Sequence, residues 1–242
     1  MLKNKKGIIF GVANDHSIAW GIAKKLSENG AEVAITYQND TFLKRVKPLA
    51  EKINSKLIIE CDFSKENSII KCFEKVQEEF KSIDFVIHAA AFSDKNELNG
   101  KYLNTSKDNF INTLNISCYS FTEIAQEASK IMLKSGHGTI MFTGASAGVK
   151  GFAKSATFAM GKFGLRGLAQ SMARELHPQN IHVVHVVVDG GIKSMDKNSS
   201  SGQPADNWLL PDAIADTYYH LYMQHRSAWT WEIEVRPWVE NF

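Results

Sequence analysis

The sequence lacks several features that mark particular classes of protein. No apolar run in its 242 residues reaches the roughly 18 residues that a membrane span needs. The basic start MLKNKK precedes an apolar run far too short for a signal peptide. Lysine and arginine number 28 against 26 acidic residues, so the net charge of +2 shows no basic excess for nucleic acid. We therefore expect neither a membrane nor a nucleic-acid partner.

Cysteine is also scarce. The three cysteines, Cys61, Cys72 and Cys118, are widely spaced and form no zinc-binding pattern. Their odd number suits a reduced, cytoplasmic protein better than a disulfide framework. The eight histidines do not gather into a ligand set, and His182 and His185 lie at odd spacing in a strand, so they face opposite sides. We expect a cytoplasmic protein without a metal site.

What is present is a regular alternation of apolar strands and helical patterns. The sequence predicts strands at 7–11, 32–37, 56–61, 85–88, 138–143, 182–188 and 232–235. Helices are predicted at 17–29, 41–54, about 64–80 with Ser64 as N-cap, 108–134, 157–176 and 211–225. Near-continuous apolar strands between helices predict a parallel sheet covered on both faces. Residues 1–242 should form a single Rossmann-type, doubly wound α/β domain with a seven-stranded parallel sheet.

The first predicted strand runs into a candidate phosphate-binding turn. Gly11 allows a sharp turn, and Ser17 stands where the next helix begins. Free N–H groups at such a helix start hold a diphosphate well. The stretch is not a G-x-G-x-x-G match, and a plain strand-to-helix turn with a serine cap explains it equally.

Further motifs carry a specific resemblance. Gly11 with Ser17 and Ala19, Tyr37-Gln38 after the second strand, and the stretches FSDKNELNGKYLNTS (92–106) and NISCYSF (115–121) are similar to the bacterial enoyl-acyl-carrier-protein reductases, particularly alphaproteobacterial ones. These enzymes are a divergent branch of the short-chain dehydrogenase/reductase family. The likeness spans roughly residues 5 to 134.

The resemblance implies a dinucleotide site. Its diphosphate would lie on Gly11, Ala13, Ser17 and Ile18, its adenosine on Gln38, Asp62 and Phe63, and its nicotinamide end near Ala89, Ala91, Lys162, Gly190, Ile192 and Ser194. The alternative interpretation of Asp62 is a carboxylate near Ser64 at a helix start. Gln38 is neutral, and Lys44 and Arg45 stand too far along to hold a 2′-phosphate. The implied cofactor is NAD(H) rather than NADP(H).

The catalytic end departs from the family pattern. Lys162 is placed as the family's helix lysine, but Phe158 stands four residues before it and Ser155 seven before it, where the two family spacings would put the catalytic tyrosine. Phenylalanine cannot donate a proton. Ser146 and Asn115 match the ordinary family's active-site serine and asparagine. We assign Lys162, Ser146, Asn115 and the Phe158 position to the catalytic site.

Three interpretations follow from the missing phenol. Another donor replaces it, either Ser146, Ser155 or a water held by Lys162. Alternatively, the substrate, an enoyl or ketoacyl thioester, needs less acid help. The third interpretation is a dinucleotide-binding protein without turnover, whether regulatory, structural or a recombinant scaffold.

The second half, 138–242, resembles short-chain dehydrogenases of another branch with Phe at the tyrosine position, through FAMGKFGLRGLAQSMARELHPQNIHVVHVVVDGGI and RSAWTWEIEVRPWVENF. This suggests a natural or engineered joint near 134–139. Residues 193–210 would be the substrate loop, with Trp208, Leu209 and Leu210 either capping an acyl pocket or anchoring the next helix.

The resemblance also implies a homotetramer or homodimer formed through the two long central helices. Apolar residues on those helices would meet the partner or pack inside the protomer: Ile116, Phe121, Leu165, Leu168 and Met172.

Overall fold

A computed structural model describes residues 2–98, 100–193 and 207–240. Its central sheet has the strand order β3-β2-β1-β4-β5-β6-β9, and all six pairings are parallel. The strands are β1 (Lys6–Phe10), β2 (Glu32–Tyr37), β3 (Ile58–Glu60), β4 (Phe85–His88), β5 (Gly138–Thr143), β6 (Ile181–Val188) and β9 (Glu232–Val235). The predicted seven-stranded, doubly wound Rossmann-type sheet is confirmed.

Eight α-helices surround this sheet in the described ranges. They are α1 (Ile18–Glu28), α2 (Asp40–Lys52), α3 (Ser68–Phe80), α4 (Lys95–Leu98), α5 (Lys107–Leu114), α6 (Ser120–Ser135), α7 (Ala156–Leu176) and α8 (Pro211–Tyr222). Residues of α1, α2 and α8 pack in one hydrophobic core, and residues of α3, α6 and α7 pack in a second. The sheet therefore carries helices on both faces.

The alternation of side chains along each strand creates the two cores. Ile8 and Phe10 of β1 belong to the core under α3, α6 and α7, while Ile9 belongs to the other. All three are fully buried. Because both faces are covered, the strands need apolar residues at consecutive positions, which explains runs such as VVHVVV in β6.

The start of α3 differs from the prediction. Ser64 does not cap this helix, which begins at Ser68 with Asn67 as N-cap in the left-handed region at φ 59°. The Ser64 hydroxyl and backbone N–H instead donate to the Asp62 carboxylate, at 2.7 and 3.0 Å. The Asp62 carboxylate thus accepts the hydrogen bonds of the Ser64 groups that would otherwise start the helix. Residues 62–67 form a turn beside the cleft.

The predicted helix 108–134 is interrupted. Between α5 and α6 the residues Asn115–Tyr119 form one π-helical turn, in which the Ser120 N–H donates to the Asn115 carbonyl. Such wide single turns occur often at functional sites. Periodicity could not reveal it, because apolar spacing continues on both sides.

A small second sheet was also missed. Strands β7 (Gly191–Ile192) and β8 (Trp208–Leu209) pair in parallel. Leu209 packs in the core with α1 and α8, whereas Leu210 is exposed directly before α8. Leu209 therefore anchors the start of α8. Ser194 and most of the predicted substrate loop lie outside the described residues.

Three buried histidines make stability depend on pH. Burial lowers the pKa of His88, His182 and His185, and for His182, against a raising hydrogen bond to the Thr230 carbonyl, the pKa falls from 6.5 to about 4. The unfolded chain then binds more protons below pH 6.5, so stability falls as pH falls. For His182 the loss between pH 6.5 and pH 4 reaches roughly 3 kcal/mol, at about 1.4 kcal/mol per pKa unit.

We expect His182→Gln to flatten this decline, measured as the urea-unfolding free energy at several values between pH 6.5 and pH 4. His220→Gln, on an exposed helix position, serves as the control and should leave the decline unchanged. An equally steep decline in both variants would contradict the prediction.

Candidate active site

A cleft of about 270 Å³ opens beyond the carboxyl ends of β1 to β4. Most of its walls come from the residues directly after these four strands: Gly11, Val12, Ala13, Gln38, Cys61, Asp62, Phe63, Ala89, Ala90, Ala91 and Phe92. Thr36 and Tyr37 at the end of β2, Phe42 of α2 and Ile116 of the π-helical turn also line it. This is the edge where ligands bind in doubly wound sheets, beside the reversal of strand order between β1 and β4. Seven of the predicted cofactor residues line this one cleft.

Gly11 makes the cleft possible. Its φ is +101°, and a Cβ at this position would lie 2.4 Å from the Ala89 carbonyl oxygen. Any larger residue would push the turns after β1 and β4 apart. The glycine therefore sets the width of the cleft floor.

Ser17 and Ile18 lie at the start of α1, outside the cleft lining. Ser17 is the N-cap of this helix: its Oγ accepts from the Trp20 N–H at 3.3 Å and donates to the Asn14 carbonyl at 2.7 Å. The first N–H groups of an α-helix have no partner within the helix. This end of α1 supplies donors and a partial positive charge for an anionic group.

The opposite wall of the cleft is acidic. The Asp62 carboxylate accepts from Ser64 and, at 3.4 Å, from the Gln38 amide. Burial alone would raise the pKa of Asp62, but these hydrogen bonds and the Lys65 charge outweigh it and hold the pKa below its usual value. Asp62 is therefore an anion at neutral pH. Asp62 lies in the cleft wall, and its backbone N–H donates to the Oγ of Ser68, the first residue of α3, at 2.9 Å. Its carboxylate accepts from Ser64 and Gln38 and does not cap α3.

Lys162 is buried in α7, with 2% of its surface exposed. Its Nζ donates to the Thr143 carbonyl at 3.1 Å, at the end of β5. Burial lowers its pKa to about 8, while the thiol of Cys118 raises it slightly. An ammonium group with such a pKa gives up and regains a proton easily near neutral pH.

Two aromatic rings flank this ammonium group. The Nζ of Lys162 lies 5.4 Å from the Phe121 ring centroid and 5.8 Å from that of Phe158. The faces of such rings attract a cation, which offsets part of the cost of burial. Phe158, one helical turn before Lys162, therefore contacts the lysine that a tyrosine would assist in the family pattern.

The two predicted serine donors are both engaged. Ser146 gives a hydrogen bond to the buried Asp189 carboxylate, which also pairs with Lys150 at 3.1 Å and Arg236 at 3.7 Å. Ser155 donates to the Phe152 carbonyl at 3.2 Å. A hydroxyl has a single proton to donate, so in this arrangement neither serine offers one to a substrate.

Asn115 makes its side-chain hydrogen bond to the segment that follows β3. It begins the π-helical turn, and its amide donates to the Phe63 carbonyl at 3.3 Å, in the cleft wall after β3. The structure thus brings Asn115 to the side of the cleft where Asp62 lies. Its predicted catalytic role stays a prediction.

His88 is a residue of this site that sequence reasoning missed. Its Nδ1 accepts from the Ala90 N–H at 3.2 Å, and its Nε2 donates to the Ser120 hydroxyl at 2.9 Å, which in turn donates to the Ile116 carbonyl at 2.7 Å. Burial, reinforced by the Lys162 charge, keeps its pKa well below the usual range. Neutral His88 therefore ties two walls of the cleft together. Its place at the carboxyl end of β4 was the available signal.

Gly190 and Ile192 lie directly after β6. Gly190 has φ +151°, and a Cβ there would meet the Pro237 ring at 2.8 Å. Ile192 belongs to β7 and pairs with Leu209. The two residues lie outside the cleft lining, at the edge that would receive the nicotinamide end.

The two long helices also present apolar residues to solvent. Phe121 and Leu165 are fully buried, Leu168 and Met172 pack against the same core, and Ile116 lines the cleft, so these five residues pack inside the protomer. On α5, the π-helical turn and α7 the exposed large apolar side chains are different ones: Ile111, Tyr119, Met160 and Phe163, each 43 to 55% exposed.

Within residues 2–98, 100–193 and 207–240, no three or more His, Cys, Asp or Glu side chains cluster as metal ligands. In the same ranges no helix has the length and apolar character to span a bilayer.

A doubly wound domain with its cleft at the strand reversal and a helix start facing it defines a Rossmann-type dinucleotide-binding protein. Within that class, the model of the family described as enoyl-(acyl carrier protein) reductase matches residues 11–230. The chain belongs to this family.

Individual relatives agree with this assignment. The chain is 44% identical over 228 residues to enoyl-[acyl-carrier-protein] reductase [NADH] 2 of Rhizobium meliloti, covering 94% of this chain and 79% of that one. It is 36% identical over 244 residues to an enoyl-[acyl-carrier-protein] reductase [NADH] of Rickettsia bellii, covering 96% and 92%.

A solved structure of the Anaplasma phagocytophilum reductase in complex with NAD matches with a TM-score of 0.84 and 37% identity, covering 97% of this chain and 93% of that one. The alignment of 228 residues with the Rhizobium enzyme is longer than the 5–134 span of the first resemblance. Likeness to the enoyl reductases therefore continues into the second half of the chain.

Proposed function

We propose that this protein reduces the carbon–carbon double bond of an enoyl thioester with NADH. Family membership and the cleft support the reaction class. The observation that carries the proposal is Lys162, a buried ammonium group with a pKa of about 8 and two aromatic neighbours. The relatives' names specify NADH and an acyl-carrier-protein substrate, which supports both parts of the proposal.

The cleft fits the proposed cofactor. Gly11 and Ala13 leave room along its floor, the start of α1 offers N–H donors to a diphosphate, and Gln38 and Asp62 face an adenosine. Gly190 and Ile192 would hold the nicotinamide end. When bound, NADH supplies the hydride.

The charges near Gln38 favour NADH over NADPH. Asp40 and Glu60 both act on Tyr37 electrostatically, and Asp62 lies beside Gln38. Two cations of neighbouring segments have partners: Lys65 pairs with Glu60 at 2.9 Å, and the Arg45 guanidinium lies over the Phe42 ring. None of these groups is a free cation that could pair with a 2′-phosphate. The acidic surroundings therefore disfavour binding of a 2′-phosphate.

The proton for the reaction comes from Lys162, either directly or through a water molecule bound to it. The ammonium group has three N–H donors, and one is used by the Thr143 carbonyl. The hydroxyls of Ser146 and Ser155 donate their hydrogen bonds to Asp189 and to the Phe152 carbonyl. Without a phenol the reaction loses part of the factor of roughly 10²–10⁴ that a positioned acid contributes.

Phe158 in place of the catalytic tyrosine also supports a second candidate function, the binding of a dinucleotide without turnover. We further propose that Phe158 is a feature of the lineage of the second half. A joint of two branches near 134–139 predicts that the two halves have different nearest relatives when each is compared alone.

We also propose that the protein assembles as a homotetramer or homodimer through α5, the π-helical turn and α7. The exposed Ile111, Tyr119, Met160 and Phe163 support this, because they lie on three segments that contact one another, and exposed large apolar side chains on adjoining segments mark an interaction surface.

Phe158→Tyr tests the proton supply. We expect slow NADH consumption with an enoyl thioester in the unchanged protein and a rate at least about 10²-fold higher in the variant, because a phenol beside Lys162 restores a positioned acid. Stopped-flow absorbance measures the rate, and NADH fluorescence measures binding.

The matched control is Phe163→Tyr, an exposed position of the same helix, which should leave the rate unchanged. NADH binding without turnover in either protein would establish the binding-only function. A protein that does not bind NADH would refute the assignment of the cleft.

Gln38→Arg tests cofactor choice. A guanidinium at this position would pair with a 2′-phosphate, so we expect kcat/KM for NADPH relative to NADH to rise by about 10-fold or more. Gln38→Met, which adds no charge, should leave the ratio near its original value. A preference for NADPH in the unchanged protein would contradict the electrostatic argument.

Light scattering tests assembly. We expect the mass of a dimer or tetramer, and a lower mass for Phe163→Lys, because a lysine there places charge in the proposed interface. Leu103→Lys, at a residue 88% exposed on another segment, is the control. A monomer mass for the unchanged protein would rule the assembly out.

A further inference from the structure

A histidine, a glutamate and an arginine form a hydrogen-bonded line from the surface into the sheet. His185, in the middle of β6, is fully buried, and its Nδ1 lies 3.0 Å from Glu232 Oε2 on β9. Arg166 of α7 donates two hydrogen bonds to the same carboxylate, at 2.7 and 2.6 Å. Arg166 is partly exposed, Glu232 less so and His185 not at all.

The carboxylate fixes the tautomer of His185. The Arg166 and His185 hydrogen bonds hold the pKa of Glu232 low against the raising effect of burial, so its oxygens only accept. The Nδ1 of His185 must therefore carry the proton, which leaves a lone pair on Nε2. Among the residues that the structure describes, Nε2 has no hydrogen-bond partner.

The free Nε2 lies against Gly144. A Cβ at Gly144 would be only 2.2 Å from this nitrogen, so the imidazole fills the space of a side chain there. Gly144 is joined by one peptide bond to Thr143, whose carbonyl accepts from the Lys162 ammonium group at 3.1 Å. The Lys162 ammonium group and the unprotonated Nε2 of His185 therefore both lie at the peptide that joins Thr143 to Gly144.

The groups around Lys162 leave it short of negative charge. Three titratable groups interact electrostatically with Lys162: Cys118 from the π-helical turn, His88 from β4 and His185 from β6. Glu232, Arg166 and Lys162 are the charged groups that act on His185. Glu232 is the one carboxylate among these groups, and His185 lies between it and the lysine peptide.

We propose that Arg166, Glu232 and His185 form a positioning triad for Lys162, in which Glu232 orients the imidazole so that the negative end of its dipole faces the peptide holding the ammonium group. In the part of the chain that the structure describes, no carboxylate bonds the ammonium group, and the triad stabilises its charge instead. This rests on the proposed function, because Lys162 is the proton donor there.

Breaking the orientation should make Lys162 a stronger acid. In Glu232→Gln the amide can donate a hydrogen bond to Nδ1, so the imidazole proton moves to Nε2. An N–H then faces the lysine peptide in place of the lone pair, and the imidazole dipole repels the ammonium group instead of attracting it. In His185→Phe the dipole is lost while the ring volume remains. In both variants we expect the titration of Lys162 to move to lower pH, by about one pH unit in Glu232→Gln.

The measurement is NMR of ¹³C-labelled lysine in the full-length protein, with the Lys162 signal assigned by its loss in Lys162→Met. The second readout is the alkaline limb of kcat/KM for the enoyl thioester, which should move with the NMR midpoint. His182→Gln is the control, because His182 is equally buried in the same strand but stacks on Trp229; its midpoint should stay at the original pH.

The two readouts separate the inference from the proposed function. Shifted NMR midpoints in a protein without turnover would uphold the triad and refute the reaction. Turnover with unchanged midpoints in both variants would overturn the triad. If the variants do not fold, ¹⁵N imidazole shifts of the unchanged protein decide: a proton on Nδ1 of His185 supports the triad, and a proton on Nε2 alone overturns it.

Discussion

The reversal of strand order between β1 and β4 is the constraint on which the rest of this molecule depends. From these two neighbouring strands the chain leaves toward opposite edges of the sheet, β2 and β3 on one side and β5, β6 and β9 on the other. The turns after β1 and β4 can therefore separate above the sheet, and Gly11 keeps them just close enough to form a floor. Each wall of the cleft is then a segment that follows a strand, held by a fully buried core below.

The same architecture explains how a lysine is kept inside the protein. Lys162 reaches across the end of β5 to a backbone carbonyl, and among the described residues no carboxylate bonds its ammonium group directly. Its stabilisation is distributed over the carbonyl, two aromatic faces and, in our proposal, the dipole of His185. Each contribution is weak in water but stronger in a buried environment. A tyrosine at position 158 would add a phenol to this arrangement, whereas the phenylalanine adds only its ring face.

The sequence was sufficient to predict the sheet, because a strand that is buried on both faces must be apolar at consecutive positions, and β2, β4, β5 and β9 begin and end where predicted. The resemblance also selected seven residues for one site, and these line one cleft in the structure: Gly11, Ala13, Gln38, Asp62, Phe63, Ala89 and Ala91. Prediction failed where a local polar group competes with the pattern. The Asp62 carboxylate accepts hydrogen bonds from Ser64, and α3 begins later than predicted. Periodicity likewise does not reveal that the Ser146 hydroxyl donates a hydrogen bond to Asp189, 43 residues later in the chain.

The π-helical turn at Asn115–Tyr119 has a consequence for the way this chain can change. A turn of this kind takes up one residue more than an ordinary helical turn, so α5 and α6 are rotated against each other relative to a continuous helix. Removing a single residue there would leave a continuous helix in which α5 keeps its present face, because the turn already absorbs one extra residue. Removing a residue within α6 would instead turn α5 by about 100° and carry the buried Asn109 and Thr113 to a new face. The turn is therefore a place where the chain can change its length without rotating the helix that borders the cleft.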